Sequence, residues 1–186
     1  GLDFDRLRIP FRAVATDIET GEPVVLSHGL PHEAMRASAA VPVMFQPVDF
    51  QGHLLVDGGL VNNLPVDVVR SMGVDVVIAV DASSKLEKRD RLLSYLEILG
   101  QTVSLPVRRE TERQAARADL VITPDTSVHS FTDFPNIPTI MRRGEDAARA
   151  ALPRIKQLMR PRGTGPADAR TFRITSLTIQ GLDRIS

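Results

Sequence analysis

The run Asp57-Gly58-Gly59-Leu60-Val61-Asn62-Asn63-Leu64-Pro65 places an acid at the C-terminal end of an apolar strand pattern, beside two glycines. In open α/β sheets, ligand sites gather at that end of the strands. Glycines there let the backbone turn sharply and let other groups approach closely. An aspartate so placed can take the proton of a serine hydroxyl that comes within hydrogen-bond reach. Asp-Gly-Gly alone is equally the signature of a turn, with Asn62 or Asn63 as a helix cap, so the run needs its context. Ser38 lies among alanines before Pro42 and reads as a small packing residue rather than a nucleophile. The four histidines, His28, His32, His53 and His129, are scattered, and no acidic partner is spaced to complete a metal site. Asp75, Asp81, Asp119 and Asp125 flank strand patterns as turn or capping residues, and Asp17 reads as structural.

Two further segments, in order, supply the context. Ile9-Pro10-Phe11-Arg12-Ala13-Val14-Ala15-Thr16-Asp17-Ile18-Glu19-Thr20-Gly21 precedes Ala37-Ser38-Ala39-Ala40-Val41-Pro42-Val43-Met44-Phe45, which leads into the Asp57 run. Together the three resemble the patatin-like phospholipase family, with a resemblance that extends over roughly residues 8 to 159. The resemblance implies a three-layer α/β/α hydrolase fold, here its C-terminal part only. It also implies a Ser-Asp dyad without histidine, in which Asp57 is the catalytic aspartate. The family's serine lies in Gly-x-Ser-x-Gly, after a glycine-rich oxyanion loop. Neither occurs in these 186 residues, and in the family both lie N-terminal to the segments found here. The chain also begins at Gly1 without an initiator Met, so it is expected to be a piece of a longer protein, inactive without its upstream half.

The pattern along the chain must position that acid. Phe11 to Ile18 and Val24 to Leu26 read as strands around a turn, and Glu33 to Ala40 as a helix ended by Pro42. Gln51-Gly52 turns Pro47 to Phe50 back into His53 to Val56. Pro65 opens another helix, with Val66, Val69 and Met72 facing a core. Val74 to Val80 is a β-branched run that predicts a strand covered on both faces. Leu92 to Arg117 reads as a helix kinked or divided by Pro106, Asp119 to Pro124 as a strand, and Pro138 to Met159 as an amphipathic helix. Strand alternating with helix from Asp57 onward is an α/β/α pattern.

Residues 1–160 therefore read as the hydrolase part and 161–171, rich in Pro and Gly, as a linker. Phe172 to Ser186 resembles the opening strand of a POTRA domain, the periplasmic module that precedes outer-membrane β-barrels. The rival is an edge strand of the hydrolase itself. The POTRA resemblance implies export to the cell surface or medium, against the alternative of a cytoplasmic protein.

Formal net charge is zero, which gives no electrostatic footprint for nucleic acid. There is no cysteine, so thiolate catalysis, disulfides and Cys-based zinc are excluded. No cofactor is implied. The implied partners are a phospholipid or other acyl lipid, a membrane surface touched near the active site, and the upstream half of the same protein, with a homodimer left open. Two rivals to a lipid acyl hydrolase stand beside it: a general carboxylesterase, and a catalytically dead patatin-like module that binds lipid.

Overall fold

A computed structural model describes residues 1–83, 86–126 and 133–160. The expected linker and POTRA-like strand, like His129, lie outside the described residues. The chain is mixed α/β, consistent with part of a patatin-like α/β/α fold.

The order begins with β1 (Leu2–Asp3), a short 3-10 turn, β2 (Ala13–Asp17), β3 (Pro23–Leu26), β4 (His28–Gly29) and α1 (Pro31–Ser38). It continues with β5 (Val48–Phe50), β6 (His53–Asp57), α2 (Gly59–Asn62), α3 (Val66–Ser71) and β7 (Ile78–Val80). After α4 (Tyr95–Ala115) come β8 (Leu120–Ile122) and α5 (Ile137–Leu158). Four strands form one antiparallel sheet in the order β3-β2-β6-β5, β7 pairs with β8 in parallel, and β1 pairs with β4.

The β5–β6 hairpin turns through Gln51 and Gly52, both at positive φ (54° and 85°). That is the backbone of a two-residue hairpin turn whose twist matches its strands. Register then brings Ala15 of β2 opposite Asp57 and Asp17 opposite Leu55. The main core lies between this sheet and α1. Phe4, Ala15 and Leu55 are fully buried there, with Ala34 and Ala37 from the helix. Alanines on α1 let the helix lie close to the strands.

Two expectations need correcting. Among the described residues, the run from Val74 to Val80 is covered on one face only, and the strand itself forms over Ile78–Val80. Val77 and Ala79 are buried against Leu64 and Val66, but Ile78 and Val80 are 37% and 56% exposed. Side chains alternate across a strand, and α3 with the end of α4 packs on one face only. Pro106 does not divide α4, which runs unbroken from Tyr95 to Ala115 with the proline inside it. Its start is fixed by a capping box, in which Ser94 Oγ accepts from the Glu97 amide while Glu97 accepts from the Ser94 amide.

The far end of the sheet from Asp57 is closed by a hydrogen bond between His53 and Asp17. The buried Asp17 carboxylate accepts from His53 Nδ1 at 2.7 Å and from the Glu19 amide at 2.9 Å. The contact with His53, joined by the Glu19 amide, lowers the Asp17 carboxyl below its ordinary value of 3.8. A depressed carboxyl contributes stability that is present above its unfolded value and is lost as pH falls through the folded one. His53→Ala should therefore lower stability most near neutral pH, with the difference from wild type shrinking as pH falls through the folded Asp17 value. Circular dichroism against pH checks this. Phe4→Ala should cost about 3–5 kcal/mol, read from urea denaturation, because it empties the centre of the main core.

Candidate active site

Asp57 ends β6 with every main-chain group occupied. Its amide donates to the Ala40 carbonyl at 3.0 Å, and its carbonyl accepts from Thr16 Oγ1 at 2.8 Å. The next amide, of Gly58, donates to the Ser38 carbonyl at 3.3 Å. In a continuing helix that carbonyl would accept from the amide of residue 42, but Pro42 has none. Helix α1 ends at Ser38 rather than at Pro42, and its freed carbonyls receive the Asp57 turn.

Gly58 is wedged against β2. A Cβ on it would lie 2.0 Å from the Val14 carbonyl oxygen, so a side chain has no room here. Asp57 also makes the turn that Asp-Gly-Gly implies, because Oδ1 accepts the Gly59 amide at 2.6 Å. Among the described residues nothing donates to Oδ2, and the residue is half-buried. The carboxylate is thus oriented through one oxygen, with the other left to act.

Asp57 lines a cleft of about 310 Å³. Ala13 and Val14 of β2 and Met35 and Ser38 of α1 form two walls, and Gly59 and Asn62 of α2 a third. Ser38 shares the cleft, but its hydroxyl donates to the Val14 carbonyl at 2.6 Å, which ties α1 to β2. Arg12 stands at the rim, with its guanidinium engaged by both oxygens of Asp5 at 2.7 Å. A second cleft of about 190 Å³ lies beyond Asn63, where the Asp81 carboxylate accepts from the Ser83 amide and hydroxyl.

The other candidates lie elsewhere. His28 contacts Ser27 Oγ at 2.8 Å through Nδ1 and sits 3.8 Å from Asp3 through Nε2, an exposed Ser-His-Asp line-up away from the cleft. His53 is committed to Asp17. Asp119 joins Arg70 of α3 to the Val77 amide. Among the described residues no group of three His, Asp or Glu is placed to hold a metal ion.

Some of the site was invisible in the pattern. Helix α2 is a single turn without apolar periodicity. Asn62 and Asn63, flagged as caps, do not cap α3, whose first turn begins at Pro65 without a side-chain cap. Asn62 instead donates to the Asp67 carboxylate at 3.0 Å. Thr16 Oγ1 carried no signal beyond its place in a strand.

Comparison with known proteins agrees with this geometry. Residues 2–70 match the family model described as patatin-like phospholipase. The chain is 45% identical over 85 residues to patatin-like phospholipase domain-containing protein 7 of Rattus norvegicus, covering 44% of this chain and 6% of that protein. It is 32% identical over 174 residues to an uncharacterized NTE family protein of Mycobacterium bovis, covering 81% of this chain and 30% of the relative. A second such protein of Mycobacterium tuberculosis is 40% identical over 76 residues, 41% of this chain and 21% of the relative. The chain spans less than a third of the length of these relatives. Every residue that lines the Asp57 cleft falls within residues 2–70, the stretch that matches the patatin-like phospholipase family model.

Proposed function

We propose that this chain supplies the acid of a Ser-Asp dyad in a lipid acyl hydrolase. The carrying observation is Asp57: a carboxylate held by the Gly59 amide through Oδ1, with Oδ2 unengaged among the described residues, in a cleft of patatin-like sequence. In this reading the nucleophilic serine lies in an upstream segment of the same protein, since the family's Gly-x-Ser-x-Gly does not occur in this sequence and the Ser38 hydroxyl is committed to Val14.

In the first step the serine hydroxyl proton passes to the Asp57 carboxylate as its oxygen bonds to the ester carbonyl carbon. Backbone amides of the upstream segment hold the oxyanion. Collapse breaks the bond to the leaving alkoxide, which takes the proton from Asp57 and departs as an alcohol. Water repeats the cycle on the acyl-enzyme, with Asp57 again as base and then as acid to serine, and releases the fatty acid. Met35, 54% exposed at the cleft, offers an apolar surface for an acyl chain.

Among the described residues no helix is long and apolar enough to cross a membrane. Contact with lipid is then made through the surface around the cleft. The POTRA-like pattern of Phe172 to Ser186 supports export through the outer membrane. Fractionation that finds the native protein only in the cytosol would sink that part of the proposal and leave Asp57 untouched.

In the full-length protein, Asp57→Asn should lower turnover of a micellar phospholipid by about 100-fold or more, with the melting temperature preserved. Asp81→Asn, outside the Asp57 cleft, should stay close to wild type. Near-normal hydrolysis by a folded Asp57→Asn protein defeats the assignment. Preference for a short water-soluble ester would favour a general carboxylesterase, and wild-type inactivity on both a lipid-binding module. Gly58→Ala should abolish turnover and lower the melting temperature, because the added methyl collides with the Val14 carbonyl.

A further inference from the structure

Helix α2 is one turn long, too short to hold its own geometry. Yet it carries the Gly59 amide that orients Asp57. What fixes it comes from α3 and α4. The Asn62 amide closes the turn onto the Gly58 carbonyl at 2.9 Å. The Asn62 side chain, 7% exposed, donates Nδ2 to Asp67 Oδ1 at 3.0 Å. That carboxylate oxygen also accepts the Val68 amide at 2.9 Å, and the Asp67 amide donates to Gln114 Oε1 at 3.1 Å. Gln114, fully buried on α4, passes its own Nε2 to Glu110 at 2.9 Å, and Glu110 is held by Arg113.

Stability alone does not explain this arrangement. Among the described residues, Asn62 Oδ1 is buried with no hydrogen-bond partner. An unpaired buried acceptor is costly, and an apolar side chain of the same shape would remove that cost. Burial also works against the charged form of Asp67. The hydrogen bonds from Asn62 and the Val68 amide, with Gln114 and Arg117 nearby, outweigh it and lower the carboxyl below 3.8. The Asp67 carboxylate is thus held in its charged form by hydrogen bonds, which are directional where hydrophobic packing is not.

Resting on the hydrolase reading, we infer that Asn62, Asp67 and Gln114 form a positioning strut that fixes α2 and so aims the Asp57 carboxylate. None of the three is a catalytic residue. Each acts through the Gly58–Gly59 turn.

The test uses the full-length protein with Asn62→Leu, which removes the donor and the orphan acceptor together, and Gln114→Met as a second variant in case the first misfolds. The melting temperature should stay level or rise. Amide hydrogen exchange at Gly59 should quicken, and kcat on micellar phospholipid should fall about tenfold with KM unchanged. A folded variant with wild-type exchange at Gly59 overturns the strut, as does a kcat loss that only follows a lower folded fraction. Quickened exchange in a protein whose wild type hydrolyses no ester supports the strut and defeats the hydrolase reading. The two failures are therefore distinct.

Discussion

The site depends on one close approach: the Gly58 backbone pressed against the Val14 carbonyl, where a Cβ would sit 2.0 Å away. That contact sets the distance between the end of β6 and the strand beside it. Two hydrogen bonds hold it from the other side, from the Asp57 amide to Ala40 and from the Gly58 amide to Ser38. The carbonyl of Ser38 is available because Pro42 lacks the amide that a continuing helix would offer. A glycine, a proline and a short helix therefore act as one device. It holds the acid at the mouth of a cleft instead of letting the chain run on as an ordinary turn.

Polar side chains around this device divide into those that fasten and the one left to react. Thr16 and Ser38 give their hydroxyl protons to main-chain carbonyls inside the fold. Ser38 shows the distinction well. It lines the same cleft as Asp57, but with its hydroxyl given to Val14 it joins α1 to β2 and has no proton to yield. Asp57 engages one oxygen and keeps the other. An orienting amide on one oxygen leaves the charge in place for proton transfer and removes the rotational freedom that would scatter it.

The second half of the described chain is organised differently. The β7–β8 pair is covered on one face by α3 and the end of α4, while Ile78 and Val80 remain exposed on the other. The first half of α4 likewise presents Tyr95, Ile98 and Leu99 outward. The tie between the two halves is largely polar: Arg70 to Asp119, and the chain from Asn62 through Asp67 to Gln114. Directional bonds fix register across a junction where the apolar cluster, around Leu64, Val66, Val77 and Ala79, is small.

Much of this was legible in the residues. Strand alternation gave β2, β5 and β6, Gln51-Gly52 marked the hairpin turn, and α5 followed its amphipathic period. These are local signals, carried by side-chain spacing and by backbone preferences that act within a few residues. Asp57 stood out for the same reason, as an acid and two glycines where an apolar run stops. What tertiary structure decided were matters of proximity between distant segments. Val74 to Val80 reads as doubly buried because β-branched residues favour strands, but coverage depends on what packs there, and the chain covers one face. Pro106 reads as a kink or a division, and α4 is not divided there. Asn62 looks like a cap by composition, and it becomes a link to Asp67 only because α2 and α3 meet at an angle that puts the carboxylate within 3.0 Å. Gln114 lies 47 residues from the Asp67 amide it accepts, and the Val14 carbonyl that makes Gly58 obligatory comes from a strand far earlier in the chain. Spacing along a sequence records which residues can share a face. It does not record which faces will meet, and the aim of the Asp57 carboxylate is set by faces that meet.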